Sequence, residues 1–308
     1  MNASMGVRNL DILIICSVLV FITVFAPFEI FFTFRDIWYD RWRKINTSEL
    51  DTTKVKIPIN NKKKHNCIVA NVIASKDPYK IESKKVVIIV SHGLGDKKET
   101  LQYMYLPLAV QGYVIVSYDA RGHGESKRVG KRSHFLKRID DYREIVDWIN
   151  KQDKFKDMKI YSIGFSIGGL VVLSGSFKEE KIEKIIAMSA ISDYKRTVRR
   201  LNPIVLLSFL FKGIKIFPKE EEVNKLSPGR IFNNSKKELT EEQWNNLSKR
   251  VYLIHSKNDQ VIKFHNFREN VSILNLPKQN QLIFRKGGHT SKKNEVALTS
   301  AILNFLKN

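Results

Sequence analysis

The sequence predicts an α/β fold, a mostly parallel sheet covered by helices on both sides. Three observations carry that expectation. Short β-branched runs alternate with stretches of helical period. The runs are continuously apolar, as strands buried on both faces must be. Glycine-rich or polar clusters follow their carboxyl ends, where open α/β sheets gather functional groups.

The elements follow in order from about Lys56. "KVVIIVSHG" (85–93) reads as a buried strand, and a helical stretch over 97–111 is closed by Gly112. "YVIVSYDARGHGES" (113–126) is a strand running into a glycine-rich loop. Beyond Arg138, the residues Ile139, Tyr142, Ile145, Val146 and Ile149 share one helical face. "IYSIGFSIGGLVVL" (160–173) is strand, tight turn and helix in 14 residues. "EKIIAMSA" (183–190), "RVYLIHSKND" (250–259) and "NQLIFRKGGH" (280–289) are further strands, and 294–307 is a closing helix. No internal repeat or low-complexity tract interrupts them.

One stretch breaks the rhythm. Residues 191–249 hold no convincing strand, and "PIVLLSFLFKGIKIFP" (203–218) has 10 apolar residues among the 14 between its prolines. A basic cluster (Lys195, Arg196, Arg199, Arg200) precedes it, and Thr240 and Gln243 have capping-box spacing. The expectation is a helical insert over the carboxyl edge of the sheet, either ordinary core packing or a lid with an apolar surface suited to a membrane or an acyl chain.

The N-terminus is a separate object. Residues 12–28 carry no charge, and the apolar run continues to Phe34 with only Glu29 interrupting it. As a helix, 12–34 would extend about 34 Å, enough for a hydrocarbon core of about 30 Å. Aromatic residues crowd its far end, among them Phe34, Trp38, Tyr39 and Trp42. The expected organisation is a short tail (1–11), a transmembrane helix (12–34), a juxtamembrane linker (35–55) and a catalytic domain (56–308). Arg8 precedes the run, whereas Arg35, Arg41, Arg43, Lys44 and Lys54 follow it. That asymmetry predicts a single-pass protein with the domain in the cytoplasm.

Across 308 residues, 53 Lys and Arg against 31 Asp and Glu give a net charge of +22, spread along the chain as a solvated basic surface or one drawn to anionic surfaces. No zinc-finger spacing, basic zipper or RNP-like strand accompanies that charge, so nucleic acid is not an expected partner. Cys16 and Cys67 form neither a metal motif nor a disulfide framework.

The chemistry is concentrated in Gly164-Phe165-Ser166-Ile167-Gly168. G-x-S-x-G holds a serine on a strained strand-to-helix turn, where the flanking positions must be small. A serine hydroxyl is a poor nucleophile until a base accepts its proton and a third group orients that base. Two later strand ends supply candidates, Asp259 as acid and His289 as base, with Asp193 as the rival acid. The N–H of Ile167 opens a helix, and Leu94 in "HGLGD" is placed to give a second oxyanion donor. His92 and His123, in loops before the serine, are expected to be structural. Neither H-E-x-x-H nor a Cys/His cluster is present, so no metal or cofactor is expected.

"SHGLGDKKE", "YDARGHGES", "GFSIGG", "HSKNDQVI" and "GGHT", in that order, resemble the α/β-hydrolase superfamily over roughly 56–308. The chain looks most like its serine aminopeptidase S33 and monoacylglycerol-lipase-like group and its membrane-anchored members. The resemblance implies Ser166 as nucleophile, Asp259 and His289 as its partners, and Leu94 and Ile167 as backbone donors. It implies an esterase-like serine hydrolase, and the apolar insert and N-terminal run favour a membrane lipid or an acylated substrate. Acyl transfer, peptide hydrolysis and an inactive tethering role are the alternatives.

Overall fold

A computed structural model describes residues 2–20, 23, 27, 47–59, 67–201 and 203–307. The chain divides into two compact units, Met1–Lys44 and Ile45–Asn308.

In the first unit helix α1 runs Asn2–Val20, so residues 2–11 are helix rather than tail. Gly6 is the only strong helix breaker in that stretch, too little to stop a helix. Ile12, Leu13, Ile14 and Ile15 are all more than half exposed. Most of 21–34, the remainder of the expected span, lies outside the described residues, as does most of the linker. Among the described residues no helix is long and apolar enough to cross a membrane.

The second unit is built on eight strands: β1 (Leu50–Pro58), β2 (Cys67–Ser75), β3 (Val86–Ser91), β4 (Val114–Tyr118), β5 (Lys159–Phe165), β6 (Ile182–Met188), β7 (Val251–Ser256) and β8 (Gln281–Phe284). Their order across the sheet is β1-β2-β4-β3-β5-β6-β7-β8. The β1–β2 and β2–β4 pairs are antiparallel, and every later pair is parallel. The expected parallel sheet is therefore present, with an antiparallel edge. Strand β1 begins at Leu50, inside the segment expected to be linker. Its sequence hides it, because an edge strand needs little apolar content and only Ile57 of β1 is fully buried.

Strand β3 shows why the core has two halves. Successive side chains alternate faces. Val87 and Ile89 therefore join one cluster with Ile139, Tyr142 and Leu170, while Val86, Ile88 and Val90 join another with Met104, Tyr105 and Leu298. The first face carries helices α4 (Phe135–Asn150) and α5 (Ile167–Ser176); the second carries α3 (Gln102–Val110) and α12 (Glu295–Lys307). A short α2 (Pro78–Lys84) links β2 to β3.

Residues 191–249 form helices α6 (Tyr194–Arg199), α7 (Pro203–Phe211), α8 (Glu220–Leu226), α9 (Pro228–Glu238) and α10 (Glu241–Lys249). The later helices depart from the expected cap over the sheet edge. Phe232 of α9 and Trp244 of α10 pack on Phe177, ring centroids 4.5 and 5.6 Å apart, in the core beside α5. A parallel β6-to-β7 connection requires such a crossover layer. The capping box at Thr240 and Gln243 forms as expected. In α7 and its sequel the apolar residues split: Phe209 and Ile214 are buried, whereas Leu207, Leu210, Phe211 and Phe217 are 52–84% exposed. Helix α11 (His265–Leu274) lies between β7 and β8.

Candidate active site

Ser166 is the first residue past β5 and caps helix α5, with φ 55° and ψ −117°. For a residue with a Cβ this is strained backbone, the kind that persists where surrounding structure over-determines it. Here the surroundings are close. A Cβ on Gly164 would lie 2.3 Å from the Gly168 carbonyl oxygen, and one on Gly168 would lie 2.0 Å from that of Ser91. The glycines let α5 start directly against the end of β3. The Ser166 N–H donates to the Met188 carbonyl on β6, pinning the turn from the other side (2.9 Å).

An N-cap serine ordinarily accepts a hydrogen bond from the first turn of its own helix. Ser166 does not. Its Oγ instead lies 3.0 Å from His289 Nε2, across 123 residues of chain. His289 Nδ1 in turn lies 2.8 Å from Asp259 Oδ2. Asp259 is buried, and its second oxygen accepts the N–H groups of Val261 and Ile262 at 2.8 and 2.9 Å. Burial would raise its carboxyl pKa. The His289 charge and hydrogen bonds from His255 and His289 outweigh burial and hold it well below the usual carboxylate range. The Phe165 ring, 4.9 Å from the imidazole centroid, packs against His289. The three side chains thus arrive from the ends of β5, β7 and β8 and meet in one hydrogen-bonded line.

Asp193 has other partners. Its Oδ1 caps α6 through the Arg196 N–H (2.7 Å) and its Oδ2 accepts from Arg230 (2.8 Å). Leu94 follows β3 in a loop pressed against the turn, since a Cβ on Gly93 would come within 3.2 Å of the Phe165 ring. Among the described residues, no protein acceptor takes the N–H of Leu94 or Ile167.

His92 and His123 are buried supports, as expected. His92 Nε2 accepts the Ala120 N–H (2.9 Å), so its Nδ1 carries the proton given to the Gly93 carbonyl (2.7 Å). His123 Nε2 lies 2.7 Å from the Leu94 carbonyl oxygen. Burial, reinforced by Arg138, lowers the pKa of His92 well below its ordinary value and that of His123 to about 4.

Sequence reasoning missed the polar frame around these loops. Lys98 is buried and pairs with Asp119 at 2.7 Å and Glu125 at 2.5 Å, tying the loop after β3 to the loop after β4. Arg138 is 1% exposed. A signal for it existed: Arg138 stands four residues before Tyr142 and seven before Ile145, on the apolar stripe of α4. A charge on that stripe has to be buried.

A family profile for serine aminopeptidase S33 matches residues 82–239, just over half of the chain. A protein of Escherichia coli described as an uncharacterized 31.7 kDa protein in the traX-finO intergenic region is 26% identical over 146 residues. That match covers 46% of this chain and spans half the relative's length. Among solved structures, an esterase of Pyrococcus furiosus superposes with a TM-score of 0.58 at 20% identity, covering 86% of this chain and 95% of that one. An acylaminoacyl peptidase of Pyrococcus horikoshii gives 0.57 at 17% identity, over 89% of this chain and 43% of its own. At these identities the structures share the fold. With the family match, the conclusion is that the chain has the α/β-hydrolase fold and belongs to the serine aminopeptidase S33 family.

Proposed function

We propose that this enzyme cleaves carboxylic ester or thioester bonds through Ser166, His289 and Asp259. The observation that carries the reading is the line of hydrogen bonds from Ser166 Oγ through His289 to Asp259. His289 Nε2 takes the hydroxyl proton as Ser166 attacks the carbonyl carbon. The tetrahedral oxyanion is met by the N–H groups of Leu94 and Ile167, the latter backed by the α5 dipole. His289 then returns the proton to the leaving oxygen or sulfur, and water releases the acyl group by the same steps reversed. Asp259 keeps the imidazole in the required tautomer and stabilises its protonated form. In a fluorophosphonate labelling experiment, a single adduct is expected on the peptide containing Ser166, with none in Ser166→Ala. Turnover in that variant should fall by about 10⁴-fold or more. An adduct elsewhere would refute the assignment.

The same reading takes the substrate to be lipid-like or acylated and the protein to be held at a membrane by its N-terminal apolar run, with the domain on the cytoplasmic side. The exposed side chains of Leu207, Leu210, Phe211 and Phe217 support a lid with an apolar outer surface. No acidic residue occurs between Asp193 and Glu220, a stretch with seven Lys and Arg, which suits an anionic bilayer. Replacing Leu210 and Phe211 by serine should lower turnover of long-chain esters about tenfold and leave short-chain esters unchanged. Equal losses on both would remove the lipid assignment. Peptide hydrolysis is the second reading, favoured by the S33 family match and decided by assaying acyl-peptide and ester substrates side by side.

A further inference from the structure

Arg138 is a costly residue that neither the fold nor the line of catalytic side chains accounts for. Its guanidinium is fully buried, and its Nε and Nη1 have no hydrogen-bond partner among the described residues. Burial lowers its pKa, opposed by Tyr118 and by the nearby carboxylates of Asp141 and Asp96. Asp141 is itself bound by Arg121. Burying a poorly paired charge costs several kcal/mol, and an unbranched apolar chain of similar volume would fill the site without that penalty. What such a chain could not do is donate a hydrogen bond. Arg138 makes one, from Nη2 to the carbonyl oxygen of His92 at 2.6 Å.

That carbonyl is two residues from Leu94, at the root of the loop pressed on the Ser166 turn. A Cβ on Gly168, two residues after the serine, would meet the same His92 oxygen at 2.7 Å. The rest of the loop is held by side chains in the same way. Gly93 donates to Asp96 Oδ2 at 3.2 Å and accepts from His92 Nδ1, while the Leu94 carbonyl lies 2.7 Å from His123 Nε2. Every carbonyl from His92 to Leu94 therefore has a side-chain partner, and the Leu94 N–H has none. The loop is clamped by its acceptors with a donor left over.

We propose that Arg138 is a positioning residue for the oxyanion loop, fixing the His92 carbonyl and through it the direction of the Leu94 N–H. The inference rests on the proposed mechanism, because it concerns a donor needed only when charge develops on the substrate oxygen. Misplacing such a donor by about 1 Å costs on the order of 100-fold in rate while leaving ground-state binding intact.

The test compares Arg138→Met, Arg138→Lys and wild type on a short-chain ester, with thermal unfolding measured alongside. Arg138→Met should fold with an unchanged or raised Tm, keep KM within about threefold and lose about 10- to 100-fold in kcat. Arg138→Lys should recover part of that loss. Affinity for a trifluoromethyl ketone, which forms a tetrahedral adduct, should fall by the same factor as kcat, while affinity for the product carboxylate should not change. Wild-type kcat in Arg138→Met would overturn the proposal. So would a loss confined to KM, or failure of Arg138→Met to fold, which would make the guanidinium a folding element. A wild-type protein inert to both ester and fluorophosphonate would overturn the mechanism beneath it, a result distinguishable from each of these.

Discussion

Ser166 and Gly168 show how much of the site one residue can decide. The serine's φ of 55° is held because helix α5 starts against the carbonyl of Ser91, and only glycine at 168 permits that approach. Gly168→Ala should destabilise the fold by about 2–4 kcal/mol, read as a lower urea midpoint, and abolish fluorophosphonate labelling in the chains that still fold. This part of the site was legible in the sequence, because G-x-S-x-G encodes a steric requirement rather than a composition. Asp259 and His289 were legible for a related reason, since both end apolar strand runs. Lys98 was not, because a buried charge in a loop has no periodic signature, and Arg138 showed only as a charge on the apolar stripe of α4. Their partners, the His92 carbonyl and Asp119, come from other loops and become neighbours only after β3 and β4 pair.

Among the elements, the connections after β3 and β4 behave as one piece. Lys98 joins them through Asp119, whose two oxygens also accept the N–H groups of Lys98 and Glu125 at 2.9 Å. Lys98→Met would leave the buried Asp119 carboxylate without its cation. The expected loss is about 3–5 kcal/mol, measured by denaturant unfolding, with activity falling because the Leu94 loop shares the same frame. Buried parallel strands announced themselves by unbroken β-branched runs, whereas β1 did not, because polar residues hold an edge position. The 191–249 insert was legible as helical. Its division was not: which apolar residues face Phe177 and which face outward is set by the crossover geometry, and hydrophobicity alone reads Phe209 and Phe211 alike.

For the whole molecule, the depressed carboxyl of Asp259 links stability to pH. An unfolded aspartate binds its proton near pH 4. The folded Asp259 resists protonation to much lower pH, so the unfolded chain takes up the extra proton first. Its contribution is therefore fully present at neutral pH and declines as pH falls below about 4. In Asp259→Asn that dependence should flatten, visible as a smaller fall in Tm between pH 5 and pH 3, while the same variant loses most of its turnover at pH 7. The eight-strand order also has a temporal side. Ser166, just past a strand at the middle of the sheet, emerges from the ribosome 123 residues ahead of His289. On the proposed mechanism, Ser166 stays an ordinary alcohol until the last edge strand docks. Half-made chains would then lack an activated nucleophile, and the appearance of fluorophosphonate reactivity during refolding would time the arrival of β8.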